Sequence, residues 1–295
     1  MTTVEDWVTG AADAREQAFR NVVHIVLSAI GASHELKPVM VMKGGVLMAI
    51  RYATGRHTTD VDFSTQAHYR EFAAGQDAFI ERLNAAIRQA AEALNYGIAC
   101  GIQSTDLQPR AEGNFQTLRI RIGYAPKGNA SAMKRLADRQ SPQIVQIDYS
   151  FNEIIGDVDF LGVDGELEIQ TYSETTLLAE KLRAILQQEE RQRSRRQDIY
   201  DLHYFLTHWG ADRERIERVL RLLIEKAESR GLRIDRQSMA APAIRERSQR
   251  EYADLAPTIE GELPPFDVAF TTVRQYYESL PWHLIATAER PHGNA

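Results

Sequence analysis

An α+β architecture, a strand-rich lobe followed by a helical one, is what the sequence predicts, and three observations predict it. Between Val39 and Phe151, short apolar runs of strand character are broken by glycines and polar turns and interleaved with two stretches of helical period. From Ser173 onward the pattern changes: TLLAEKLRAILQQEER, QDIYDLHYFLTHW, ERIERVLRLLIEKAE and FDVAFTTVRQYYESL all repeat their apolar residues at helical spacing. The chain of 295 residues also exceeds one average domain. The expected division is N-terminal helices over 1–34, a strand-bearing domain over 35–170 and a helical C-terminal domain over 171–295.

Each element follows from local pattern. In REQAFRNVVHIVLSAI, Phe19, Val22, Val23, Ile25, Val26 and Ile30 recur at helical spacing, with His24 read as packing. VMVM, Val39 to Met42, is a short apolar strand halted by Gly44-Gly45, after which VLMAIRYA resumes as a helix ending near Gly55. DVDFS reads as the second strand, residues 69–94 as one helix, and YGIACGIQ, FQTLRIRIGY and QIVQIDYSF as three further strands.

Composition narrows the function classes. A formal charge of −6 excludes a protein that coats nucleic acid through its overall charge, so any such contact must be local. The opening residues carry acids, and no stretch reaches the roughly 18 apolar residues of a membrane span. The expectation is a cytoplasmic protein with no membrane partner. Cys100 stands alone, which excludes internal disulfides and a cysteine-rich zinc site.

The chemistry concentrates in Lys43-Gly44-Gly45 followed, after the short helix and a polar turn, by Thr58-Thr59-Asp60-Val61-Asp62-Phe63. Residues two apart in a strand share a face, so Asp60 and Asp62 project together while Val61 and Phe63 turn into the core. Carboxylates that close repel unless a cation lies between them, and oxygen-only ligation suits magnesium, with manganese as its substitute. Paired glycines after the strand let backbone approach a triphosphate, and the helix that follows offers N–H donors. A third carboxylate is wanted for two-metal phosphoryl transfer. Asp148 is the candidate, because the alternation of Val145, Ile147 and Tyr149 leaves Gln146 and Asp148 on the polar face; a solvated edge-strand aspartate is the alternative. The second D-x-D-F string, Asp157-Val158-Asp159-Phe160, lacks the lysine, the glycine pair and the helix, and is read as a loop or edge.

The run VMKGGVLMAIRYATGRHTTDVDF resembles the K-G-G-(helix)-R-x-[ST]-x-D-h-D-F signature of the AbiEii/MenT nucleotidyltransferase toxins, a branch of the DNA polymerase beta-like nucleotidyltransferase superfamily. Asp148 sits where that family has its third acidic residue. Glu180-Lys181-Leu182-Arg183-Ala184 is similar to its E-K-L-x-A helix, and Arg196-Gln197-Asp198-Ile199-Tyr200-Asp201-Leu202 to its R-x-D-h-Y-D-L segment. The likeness runs from about Val39 to Trp282. It implies a polymerase beta-like mixed sheet, with the active site between the two lobes, and a metal-dependent enzyme that moves a nucleoside monophosphate from a nucleoside triphosphate onto an acceptor. In such toxins of phage-defence and toxin–antitoxin systems the implied acceptor is tRNA, and the implied protein partner is an antitoxin. Transfer to a protein or small molecule, and a nucleotide-binding regulator without turnover, are the competing readings.

On that resemblance Asp60, Asp62 and Asp148 are the metal ligands and catalytic carboxylates, joined by Lys181 and Asp198; Lys43, Gly44, Gly45, Thr58 and Arg196 form the nucleotide-binding set. From pattern alone Lys181 lies at the margin of a buried stripe marked by Leu178, Leu182 and Ile185, where a lysine either snorkels or meets an anion. Asp198 and Asp201 share a helix face and could orient that lysine, bind a nucleotide hydroxyl or cap the helix. Many members of the family carry a basic residue where this chain has Gln197; Arg195 or Arg196 is expected to supply that charge. Arg191, Arg193, Arg195 and Arg196 form the densest basic cluster in the chain, readable as a solvated loop or as a contact for phosphates.

Overall fold

The structure, a computed structural model, describes residues 3–109, 113–210 and 215–286. They form two compact units. One holds the described residues up to Ala53 together with His57–Tyr172; the other holds Thr54–Arg56 and the described residues from Ser173.

The first unit opens with α1 (Val4–Thr9), begun by a capping box in which Thr3 and Asp6 satisfy each other's backbone N–H groups at 3.0 and 3.1 Å. Asp13 caps α2 (Ala14–Ala32), accepting from the N–H groups of Arg15 and Glu16 at 2.8 Å. Then come β1 (Val41–Lys43), α3 (Gly44–Tyr52), β2 (Asp60–Ser64), α4 (Tyr69–Phe72), α5 (Gln76–Ala93), β3 (Ile98–Gln108), β4 (Thr117–Pro126), α6 (Ala130–Ala137), β5 (Ile144–Ser150), β6 (Val158–Asp164) and β7 (Leu167–Tyr172). The strands form one mixed sheet in the order β3-β4-β5-β2-β1-β7-β6; β2 with β5 and β1 with β7 are parallel, the other neighbours antiparallel.

Register sorts the side chains into two faces. Met42, Phe63, Tyr149 and Leu118 pair across four strands, and Val61, Ile147 and Ile120 form the adjoining row, all of them buried. Helix α5 packs on this face, with Phe79 stacked on Tyr149 at a ring separation of 5.4 Å. Helix α2 packs against α5 and β7; its His24 is buried, with its ring nitrogens 2.7 Å from the Tyr96 hydroxyl and 3.0 Å from the Val163 carbonyl, so it is a packing residue. The opposite face carries the polar members of the same strands.

Several elements differ from expectation. Strands β6 and β7 lie beyond the expected end of the strand region. The single helix expected over 69–94 is α4, a tight turn at Ala73–Gly75 and α5, because Gly75, a poor helix former, leaves helical geometry at φ −102, ψ 3 and starts α5 afresh. Helix α6 is only eight residues long and fully buries none of them, its apolar side being the half-buried Ala132, Met133 and Leu136, so two turns are too short to read.

The second unit is helical: α7 (Glu174–Leu186), α8 (Gln188–Arg191), α9 (Arg196–His208), α10 (Ile216–Ser229), α11 (Pro242–Gln249), α12 (Phe266–Ser279) and α13 (His283–Ala286). Ser173 caps α7, which packs against α9 and α10, while α12 packs on α9. The helix expected through 176–191 breaks at Gln187, which separates α7 from α8. Among the described residues no helix is long and apolar enough to cross a membrane.

Candidate active site

Strand pairing brings the acidic residues of the first unit together. In the parallel β2–β5 register Asp62 lies opposite Asp148 and Asp60 opposite Gln146; β1 sets Lys43 opposite Asp62, and β4 sets Arg119 opposite Asp148 and Arg121 opposite Gln146. The result is a polar row, Lys43–Asp62–Asp148–Arg119, flanked by a second, Asp60–Gln146–Arg121. Paired residues on adjacent strands share a sheet face, which here is the one turned away from the α5 core.

The electrostatics of the rows are those of crowded anions. Asp60, at the solvent end of β2, has its carboxyl raised above the ordinary 3.8 by desolvation and then by the Asp148 carboxylate; Arg119 and the Thr59 hydroxyl act in the other direction. Gln146 donates to Asp148 Oδ1 at 3.0 Å, and Arg119 Nε lies 3.7 Å from the same oxygen. A set of three aspartates on one face, with the Asp60 carboxyl raised by desolvation and by its neighbour Asp148, fits a divalent cation. The oxygens of the three do not all approach within 4.8 Å of one another, so the set is an open platform rather than a closed cage. Such a platform suits magnesium, which keeps waters and substrate phosphates among its ligands.

Gly44 is required by this platform. It has φ +80, and a Cβ built on it would lie 2.6 Å from Asp62 Cγ, overlapping the carboxylate. The backbone of the α3 N-terminus thus touches the acidic residue itself. Lys43, which precedes α3 and has no side-chain cap bond, is buried with Nζ 3.7 Å from Glu153 Oε1 and 5.9 Å from the Tyr172 ring centre. Gly45 is buried in the first turn, and Thr58 lies in the segment just before β2.

The remaining expected residues belong to the second unit, where Lys181 and Asp198 meet each other and Arg196 pairs with Glu251 instead. Lys181 on α7 is buried and donates to Asp198 Oδ1 at 2.8 Å and to Asp201 Oδ2 at 2.7 Å, both on α9. Burial alone would disfavour its charge; the two carboxylates outweigh that and raise its pKa above the usual 10.5. Asp201 is fully buried. Burial would raise its carboxyl, but Arg56, which grips it through Nε and Nη2 at 2.7 Å each, and Lys181 bring it down to about 2. Arg195 lies 3.7 Å from Asp198, and Arg196 is paired with Glu251.

Sequence reasoning passed over Arg56, Thr59 and Glu153 as site residues. Arg56 stands within the run from Val39 to Phe63 that carries the signature, and its regular spacing ahead of Asp60 was the available signal; Glu153 had none, since only the fold brings it to Lys43. The second D-x-D string ends on the sheet's edge strand, where Asp159 is ion-paired with Arg51 of α3 at 3.0 Å.

A family profile described as "Nucleotidyl transferase AbiEii toxin, Type IV TA system" matches residues 26–276. Among solved structures, the chain is similar to a candidate nucleotidyltransferase from H. pylori, with a TM-score of 0.52 at 11% identity, covering 95% of this chain and 100% of that one. It is also similar to JHP933 from Helicobacter pylori, with a TM-score of 0.51 at 11% identity and the same coverage. At that identity the likeness speaks for the fold. No curated protein sequence matches the chain.

Proposed function

The chain belongs to the AbiEii nucleotidyl transferase toxin family of type IV toxin–antitoxin systems, and from that premise we propose that it transfers a nucleoside monophosphate from a nucleoside triphosphate to a hydroxyl of tRNA, with magnesium, in the cytoplasm, and is opposed by an antitoxin. The observation that carries this reading is the pairing of Asp62 with Asp148 beside Asp60, at the glycine turn that starts α3.

Asp60, Asp62 and Asp148 would hold the metal. Magnesium bound there would make the attacking hydroxyl more acidic and neutralise the departing pyrophosphate. The N–H groups at the Gly44-Gly45 start of α3, which the Lys43 side chain does not cap, would offer donors to phosphate oxygen, and the absence of a side chain at Gly44 keeps the Asp62 carboxylate in place. Lys181, held charged by its two carboxylates, steadies the triphosphate in this proposal; Asp198 orients it, and Lys43, Thr58 and Arg196 complete the nucleotide-binding set. The acceptor oxygen bonds to the α-phosphorus as the bond from that phosphorus to the β-bridging oxygen breaks. Pyrophosphate leaves, and the hydroxyl proton passes to water.

The test is transfer of label from each of the four α-labelled triphosphates into total RNA, with magnesium, by the native chain and by Asp60→Ala. Label in a tRNA-sized band from one donor, lost in the variant and in chelator, is the expected result. Label in protein alone would move the acceptor from RNA to a protein hydroxyl, and triphosphate binding without pyrophosphate release would reduce the site to a sensor.

A further inference from the structure

Outside the acidic platform, the strongest unabsorbed feature is the arginine cluster of the helical unit. Arg191 closes α8, and Arg193 and Arg195 follow in the turn to α9. The fold adds to them. Arg183 of α7 and Arg230, which ends α10, lie near enough to Arg191 to act on its charge, as do Arg193 and Arg195; desolvation first and then these four guanidiniums lower its pKa. Arg247 of α11 joins from another side, donating to the Gln192 side chain at 3.1 Å.

The cluster is built on a fixed turn. Gln188, 1% exposed, donates to the Ile185 carbonyl at 3.0 Å and to Ser248 Oγ at 2.8 Å, while its Oε1 accepts from the Arg195 N–H at 2.8 Å. Gln192 turns the chain in the left-handed conformation at φ +51, and its side chain donates to the Glu189 carbonyl at 2.7 Å. Arg191 and Arg193 are exposed, and neither forms an ion pair among the described residues, although Glu189 and Glu190 are on the same short helix. Arg195 and Arg183 do have carboxylates, Asp198 and Glu180. Like charges gathered on an anchored turn, two of them without a counter-charge, in a chain whose net charge is −6, mark a place where an external anion is to be met.

We infer that Arg191 and Arg193, backed by Arg183, Arg230 and Arg247, form a docking surface for the phosphate backbone of a polynucleotide. Their open placement favours a long polyanion that lies across the surface over a single small anion, which would be enclosed. Guanidiniums contacting phosphates position a nucleic acid without reading its sequence. The inference rests on the reading of RNA as acceptor, and it assigns the surface that holds that acceptor.

The experiment compares the full chain with Arg191→Ala/Arg193→Ala, using a fluorescein-labelled RNA hairpin with a single-stranded 3′ end. Anisotropy is measured without magnesium across a salt series, and ATP binding and RNA labelling are measured separately. Removing one guanidinium–phosphate pair lowers the slope of log affinity against log salt by about 0.7 to 0.9, so the double variant is expected to lose about 1.5 units of slope and on the order of tenfold in affinity at low salt. Its ATP affinity and melting temperature are expected to match the native chain. RNA binding of the variant equal to the native in strength and slope overturns the docking surface while leaving RNA transfer standing. An equal loss of ATP affinity also overturns it, by moving the cluster to the triphosphate. A native chain that neither binds nor labels RNA sinks both this inference and the RNA-acceptor reading.

Discussion

Asp62 of β2 and Asp148 of β5 are direct neighbours in parallel register, although 86 positions apart in the chain. Two acids set side by side without a cation disfavour the folded state, and Asp60 next to them has its carboxyl raised by desolvation and by Asp148. Replacing Asp60 with asparagine is therefore expected to do opposite things to activity and stability. Label transfer should fall by at least about a hundredfold, as when a positioned electrostatic group is lost. The melting temperature in chelator should rise by about 1–2 °C, the reverse of the usual cost of a substitution. Calorimetry in EDTA checks this, and a lower melting temperature would show that the carboxylate is stabilising as it stands.

Gly44→Ala should damage the same platform from the backbone side. The left-handed φ costs alanine about 1–2 kcal/mol, and the new Cβ displaces the Asp62 carboxylate in addition. Gly75→Ala, at a position with open space and ordinary φ, is the control. Magnesium titrations of thermal stability should show a response in the native chain and the control and none in Gly44→Ala.

In the helical unit, Lys181 and Asp201 separate structure from function. Asp201→Ala removes the buried carboxylate that Arg56 and Lys181 both grip, and breaking a buried pair in this way costs about 3–5 kcal/mol. Lys181→Ala leaves Asp201 with its two bonds from Arg56, so it should cost less stability while abolishing transfer. Urea unfolding of both variants, set beside their label transfer, reads the two effects apart.

The same pair fixes a pH window. The Asp201 carboxyl is lowered from 3.8 to about 2, so its contribution is complete above its unfolded value and disappears as pH falls through the folded one. Lys181 is raised above 10.5, so its contribution is present below that value and is lost as pH rises through its folded pKa. Urea resistance from this pair should be level across neutral pH and decline between about pH 4 and 2 and again in strong alkali. In Asp201→Asn the acid decline should be smaller.

Asp159 should be dispensable for chemistry. It is half-exposed and paired with Arg51, a kind of surface bridge worth about 0–1 kcal/mol. Asp159→Ala is expected to label RNA within about twofold of the native rate, a margin of well under 1 kcal/mol in barrier, while Asp60→Ala does not.

Legibility in the sequence followed the range of the interaction. The alternation Val145, Ile147, Tyr149 placed Asp148 on a polar face, and the structure gives β5 that burial pattern. Local pattern could not say that Arg119 faces Asp148, because that depends on which strand lies next to which. Strand β7 escaped notice because it is six residues long with only Ile169, Thr171 and Tyr172 buried; its place between β1 and β6 depends on long-range pairing, which no local count reveals. Pattern alone put Lys181 at the margin of a buried stripe and offered Asp198 and Asp201 as carboxylates that could orient it; in the structure both accept from it. Asp201 was legible as an acid on the right helix face, but its burial against Arg56 spans 145 residues.

Arg56 carries one more consequence. Thr54–Arg56 belong with the helices, yet they lie between α3 and β2, so the backbone runs from the sheet unit into the helical unit and back before it reaches Asp60. A gene cut after codon 172 would leave that excursion without its partner Asp201 and the Tyr200 hydroxyl, which donates to the Thr54 carbonyl at 2.8 Å. On the ribosome, the segment leading into the first acidic strand cannot be secured until about two-thirds of the chain has been synthesised. The contact that holds this segment therefore waits on the synthesis of the helical unit.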